Sequence, residues 1–145
     1  MIAGYQDGDL LPCSRRLNEG VDPAKVIPMG SSIGADGAAD GFAWLNEQEP
    51  GSCQEALSLS PGDFLDVPYT DAVQKLGQSQ PPVAAWCMVD ENEVAFCNKA
   101  SEAGNTKFKA VEIPNGQHGN ILLHPGLTPD AMQTILDFLA QTVGP

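Results

Sequence analysis

Positive charge is scarce in this chain: 7 Lys and Arg stand against 19 Asp and Glu among 145 residues, for a formal net charge of -12. The cations run from Arg15 to Lys109 and cluster only as Arg15-Arg16 and Lys107/Lys109. No face can therefore neutralise a phosphate backbone or bind an anionic membrane surface. No apolar run reaches the roughly 18 residues of a membrane span. The opening MIAGYQDGDLLPCSRR lacks the basic leader and long apolar stretch of a targeting segment. A soluble chain is expected, in the cytoplasm or, with a leader removed, secreted or periplasmic. The 4 cysteines, Cys13, Cys53, Cys87 and Cys97, show neither C-x-x-C nor Cys/His metal spacing, so no metal and no cofactor is expected. Cys87 and Cys97 can approach each other if a strand turns into a helix between them, which leaves free thiols and a disulfide both open.

With 42% hydrophobic and 18% charged residues the chain can fill an ordinary core. Its length reads as one domain over 1–145, with an N-terminal helix and loop over 1–24 and the strands, helices and motifs over 25–145. The stretch 9–18 predicts a short helix weakened by Pro12. Lys25 to Met29 predicts a strand whose Pro28 suits only an edge, an end or a bulge. Ile33 to about Asn46 then repeats small and apolar residues at helical spacing. Strands are expected at Ala56 to Ser60, at Val83 to Val89 and at Lys107 to Pro114, with helical segments at 70–77 and 94–103 between them. The apolar run Val83 to Val89 has the continuous character of a strand buried on both faces. Thr128 is the expected cap of the last helix, with Pro129 at its first position and Ala131/Met132, Ile135, Leu136, Leu139 and Val143 making one apolar face. Strands alternating with helices predict an α/β domain of about four parallel strands with right-handed crossovers.

Gly30-Ser31-Ser32-Ile33-Gly34, a G-x-S-x-G run, lies between a predicted strand and a predicted helix. A serine in that sharp turn needs the small flanks Gly30 and Gly34, and the turn lifts its hydroxyl off the sheet. The backbone N–H of Ile33 then faces a developing oxyanion at a helix N-terminus. Asp90-Glu91 ends the buried strand, and His118 sits in a Gly-rich loop just past the next one. A parallel sheet brings all its strand C-termini to one edge, so Ser32, the acid and His118 share a rim. Their roles would be nucleophile, orienting acid and base. His124, which precedes Pro125 in a connecting loop, is the weaker choice of base.

From Gly20 onward, about 125 residues, the chain resembles the C-terminal half of an α/β-hydrolase of the esterase and dienelactone-hydrolase-like kind. GVDPAKVIPMGSSIGA resembles the nucleophile elbow, LSLSPGDF the sixth strand and its loop, PPVAAWCMVDENE the seventh strand with its acid, and VEIPNGQHGNILL the eighth strand with its histidine. The resemblance implies a truncated three-layer sandwich and hydrolysis of small carboxylic esters through an acyl-enzyme on Ser32, with His118 as base. The usual register of the seventh strand favours Glu91 as the acid, with Asp90 as the near alternative.

The family places several strands before its nucleophile, and only 24 residues precede Lys25 here. The loop that supplies the second oxyanion donor belongs to that upstream part, and losing one such donor costs roughly 10²–10³ in rate. The strand Lys25 to Met29 would then be an edge, which invites a homodimer or higher oligomer. Three functional expectations follow: a minimal serine esterase, a weak or inactive remnant serving as a binding or oligomerisation module, and a thioesterase or lactonase on the same site.

Overall fold

The computed structural model describes residues 26–51 and 55–143. The expected helix over 9–18, with Cys13 and Arg15-Arg16, lies outside them, as do Lys25 and Cys53. Four parallel strands, β1 (Met29–Ser31), β2 (Glu55–Leu59), β3 (Ala84–Val89) and β4 (Phe108–Glu112), form one sheet in the order β1-β2-β3-β4. Helices α1 (Ile33–Gln48), α2 (Tyr69–Gln78), α3 (Val94–Ser101) and α4 (Ala131–Val143) flank it, and a 3-10 turn spans Gly119–Leu123. The fold is a small three-layer α/β sandwich.

Two cores follow from the period of two along each strand. Ala56, Ala85, Cys87 and Val89 face Phe42 of α1, Tyr69, Val73 and Leu76 of α2 and Cys97 of α3. The intervening Leu57, Leu59, Trp86 and Met88 face Ile113, Leu122, Ile135 and Phe138. β3 pairs on both sides and all six of its residues are buried, which is why it reads as one unbroken apolar run. Among the described residues β4 has a single neighbour, and it carries charge at the exposed Lys109 and Glu112, as edge strands do; its Lys109 ammonium lies 3.7 Å over the Trp86 ring.

Three expectations need correction. β1 starts at Met29, four residues later than expected, and Pro28 stands just ahead of it, its carbonyl accepting from the Leu57 N–H at 3.1 Å. Proline thus meets the ladder only as an acceptor. The last helix is capped by Asp130, not Thr128: the Gln133 N–H donates to the Asp130 carboxylate at 2.9 Å, so Pro129 precedes the helix. Its buried face keeps the expected Ala131 and Ile135 and adds Phe138, whereas Met132 and Leu136 are about half exposed.

Cys87 and Cys97 form a disulfide, with 5.8 Å between their Cα atoms. It ties the end of β3 to the first turns of α3 and encloses Asp90-Glu91-Asn92-Glu93.

Candidate active site

Strand register puts the site together. Ser31 pairs with Leu59, Leu59 with Met88, and Val89 with Glu112. The residues that follow, Ser32, Ser60, Asp90 and the loop after Glu112, therefore share the C-terminal edge of the sheet, where ligands of open α/β sheets bind.

Ser32 joins β1 to α1 with φ 56° and ψ -129°, a conformation costly for a residue with a Cβ. Its N–H donates to the Leu59 carbonyl at 2.9 Å, which holds the turn against the sheet. Gly30 is required for a steric reason: a Cβ there would stand 1.9 Å from the Gly34 carbonyl oxygen. Gly34 is different from expectation, because a Cβ on it would meet nothing within 4 Å. Its backbone passes close to Gly30, while its missing side chain faces open space.

His118 stands opposite. Its Nε2 is 2.8 Å from Ser32 Oγ, and its Nδ1 is 2.5 Å from Glu93 Oε1. An ionised carboxylate can only accept, so Nδ1 carries the ring proton and Nε2 is left to accept from the Ser32 hydroxyl. The imidazole side chain is 45% exposed and that of Glu93 26%, so the site opens directly to solvent. His124 takes no part; its Nδ1 lies 3.0 Å from the Pro125 carbonyl oxygen.

The carboxylate on the imidazole is thus Glu93, and the expectation of Glu91, with Asp90 in reserve, is corrected. Asp90 is buried, and its carboxylate accepts from the Asn92 N–H at 2.9 Å and the Gln117 N–H at 3.2 Å. Those hydrogen bonds, from Asn92 first, hold its pKa below the usual aspartate range against the effect of burial. Glu91 accepts from the Asn115 N–H at 2.5 Å. Asn115 and Gln117 both have positive φ, 61° and 58°. The two carboxylates therefore grip the N–H groups of the two strained residues that deliver His118, and neither reaches the ring. The Asp90–Asn92 turn, closed by the Glu93 N–H donating to the Asp90 carbonyl at 3.0 Å, swings Glu93 to the front of α3.

Ser60 is a further site residue that sequence reasoning missed. Fully buried at the end of β2, with φ 48°, it accepts from the Gly119 N–H on its Oγ at 2.8 Å. All four positive-φ residues other than glycine among the described residues, Ser32, Ser60, Asn115 and Gln117, line this edge. Strain of that kind persists only where the surroundings over-determine it, and it gathers at functional sites.

Ile33 opens α1, where the helical ladder offers its N–H no partner. Among the described residues no group of three His, Cys, Asp or Glu could hold a metal ion, and no helix is long and apolar enough to cross a membrane. No protein-family model, curated protein or solved structure matches the chain.

Proposed function

We propose that the chain is a serine esterase acting on small or short-acyl carboxylic esters, built like the C-terminal half of an α/β-hydrolase. The observation that carries this reading is the continuous hydrogen-bonded line from Ser32 Oγ through the His118 ring to Glu93, set on a strained strand-to-helix turn.

Attack of Ser32 Oγ on the ester carbonyl transfers the hydroxyl proton to His118 Nε2, and Glu93 stabilises the imidazolium. The carbonyl oxygen, now an oxyanion, faces the Ile33 N–H and the positive end of α1. The bond to the alcohol oxygen breaks as Nε2 returns the proton to it, leaving an acyl group on Ser32. Water then gives a proton to Nε2 and attacks that acyl group, releasing the acid and restoring the hydroxyl. Thioesters and lactones would be cleaved by the same step. The open, half-exposed imidazole suits small substrates, since no long acyl groove is needed to reach it.

Hydrolysis of 4-nitrophenyl acetate that disappears in Ser32→Ala and in His118→Ala is the expected result; turnover surviving in the serine variant would reject the mechanism. One feature favours the second reading, a weak or inactive binding module: among the described residues Ile33 is the one backbone donor assigned to the oxyanion, and lack of a second would lower the rate roughly 10²–10³-fold. We also infer that two copies associate at the β1 edge, where Met29 is 55% exposed and β2 covers one side only among the described residues. A monomer by sedimentation at micromolar concentration would contradict that.

A further inference from the structure

A second arrangement beside the site has no use in the chemistry above. Asp36, four residues after Ser32 on α1, is 1% exposed, and its two oxygens accept from the N–H groups of Gly62 at 2.9 Å and Phe64 at 2.8 Å. Burial pushes its pKa up, and these two bonds pull against that shift. A buried carboxylate is costly unless it is hydrogen-bonded. What this one secures is the course of the loop after β2. The same loop is held on its far side by Asp63, which accepts from the Tyr69 N–H at 3.1 Å and pairs with Lys99 at 3.4 Å.

The loop presents Phe64. The residue is 50% exposed, yet its ring is not free to wander. The ring folds back over Gly62, where a Cβ would stand 2.7 Å from a ring carbon, and meets the His118 imidazole edge to face, with centroids 6.4 Å apart at 84°. A single exposed apolar residue is ordinary. One anchored from below by a buried carboxylate and set against the general base is preorganised for contact with something that arrives from solvent.

Chemistry decides which part of a substrate that is. His118 Nε2 must hand its proton to the departing oxygen, so the alcohol half of the ester lies on the imidazole side of Ser32. From this geometry we infer that Phe64 is a specificity-determining residue that binds the alcohol half of the ester and selects neutral apolar alcohols, alkyl or aryl. The inference rests on the esterase reading. Asp90, Glu91 and Glu93 follow β3 on the same rim, so anionic alcohols are repelled.

Acetate esters from ethyl to hexyl keep the acyl group and the alcohol acidity nearly constant while lengthening the alcohol. For the wild-type chain, KM should fall about two- to fourfold per added methylene. Phe64→Ala should flatten the series and so raise KM for hexyl acetate roughly 16- to 250-fold, the effect of its four extra methylenes, and Phe64→Leu should retain most of the trend. Breakdown of the acetyl-enzyme, from which the alcohol has already gone, should be unchanged in both. A chain-length trend that survives Phe64→Ala, or a deacylation rate that falls as far as acylation, overturns the inference. If no ester is turned over, the esterase reading fails, and binding of benzyl alcohol to Ser32→Ala followed by NMR decides the role of Phe64 separately. About tenfold weaker binding on adding Phe64→Ala supports that role, and equal binding overturns it.

Discussion

Glu93→Gln separates the carboxylate that touches the imidazole from the two that grip its loop. The wild-type contact, 2.5 Å between His118 Nδ1 and Glu93 Oε1, is charge-assisted. Glu93 Oε2 is buried with no hydrogen-bond partner among the described residues, so none of them dictates which way a replacing amide turns. With its oxygen on Nδ1 the ring keeps its tautomer but the imidazolium loses its counter-charge, worth about 1.5–3 kcal/mol or roughly 10–150-fold. With its nitrogen on Nδ1 the proton moves to Nε2, which can then no longer accept from Ser32, and the loss reaches about 10⁴. We therefore expect kcat for 4-nitrophenyl acetate to fall roughly 10–10⁴-fold. Glu91→Gln, which keeps an amide oxygen for the Asn115 N–H, should cost less than about fivefold. Rates would be measured against Ser32→Ala as background. A Glu93→Gln variant within a factor of about three of wild type, alongside a crippled Glu91→Gln, would refute the assignment.

Three further outcomes follow from packing and charge. Gly30→Ala drives a Cβ into the Gly34 carbonyl and should cost more than about 3 kcal/mol in urea unfolding or prevent folding, whereas Gly34→Ala, on open space in a helix, should gain about 0.5–1 kcal/mol. Replacing Cys87 and Cys97 together by alanine opens a 10-residue loop. The stability loss should be about 2.7 kcal/mol by the chain-entropy relation, and activity should fall too, because that loop carries Glu93. Asp90, whose pKa lies below the ordinary 3.8, stabilises the fold above that pH and loses its contribution as pH falls through its lowered value. The stability difference between wild type and Asp90→Asn should be full at neutral pH and shrink on acidification below 3.8; a difference that grows instead would contradict the loop-gripping role.

Much of the fold was legible because its signals are local. Continuous apolarity marked β3, turn residues marked the gaps, and alternation of strand with helix implied a parallel sheet and hence a shared rim for Ser32 and His118. Glu93 was not legible from strand register, because the deciding event is a turn. Asp90 closes on Asn92, spends its own carboxylate on backbone N–H groups, and carries the chain round until the acid three residues later reaches the ring. An Asp-x-Asn sequence at a strand end is the clue that could have shown it. Asp36 and Ser60 were hidden for another reason: their partners, Gly62, Phe64 and Gly119, are distant in sequence, and a buried polar residue looks like any other until its neighbours are known. The disulfide lay between these cases, since spacing allowed it and only the strand-to-helix geometry brings the two sulfurs together.

The most direct test of the central claim is covalent. A serine-directed fluorophosphonate, incubated with the folded chain and mapped by peptide mass spectrometry, should modify Ser32 stoichiometrically. Labelling should be abolished in Ser32→Ala and slowed by orders of magnitude in His118→Ala. An unlabelled protein, or a label on Ser31 or Ser60 with Ser32 untouched, would contradict the account.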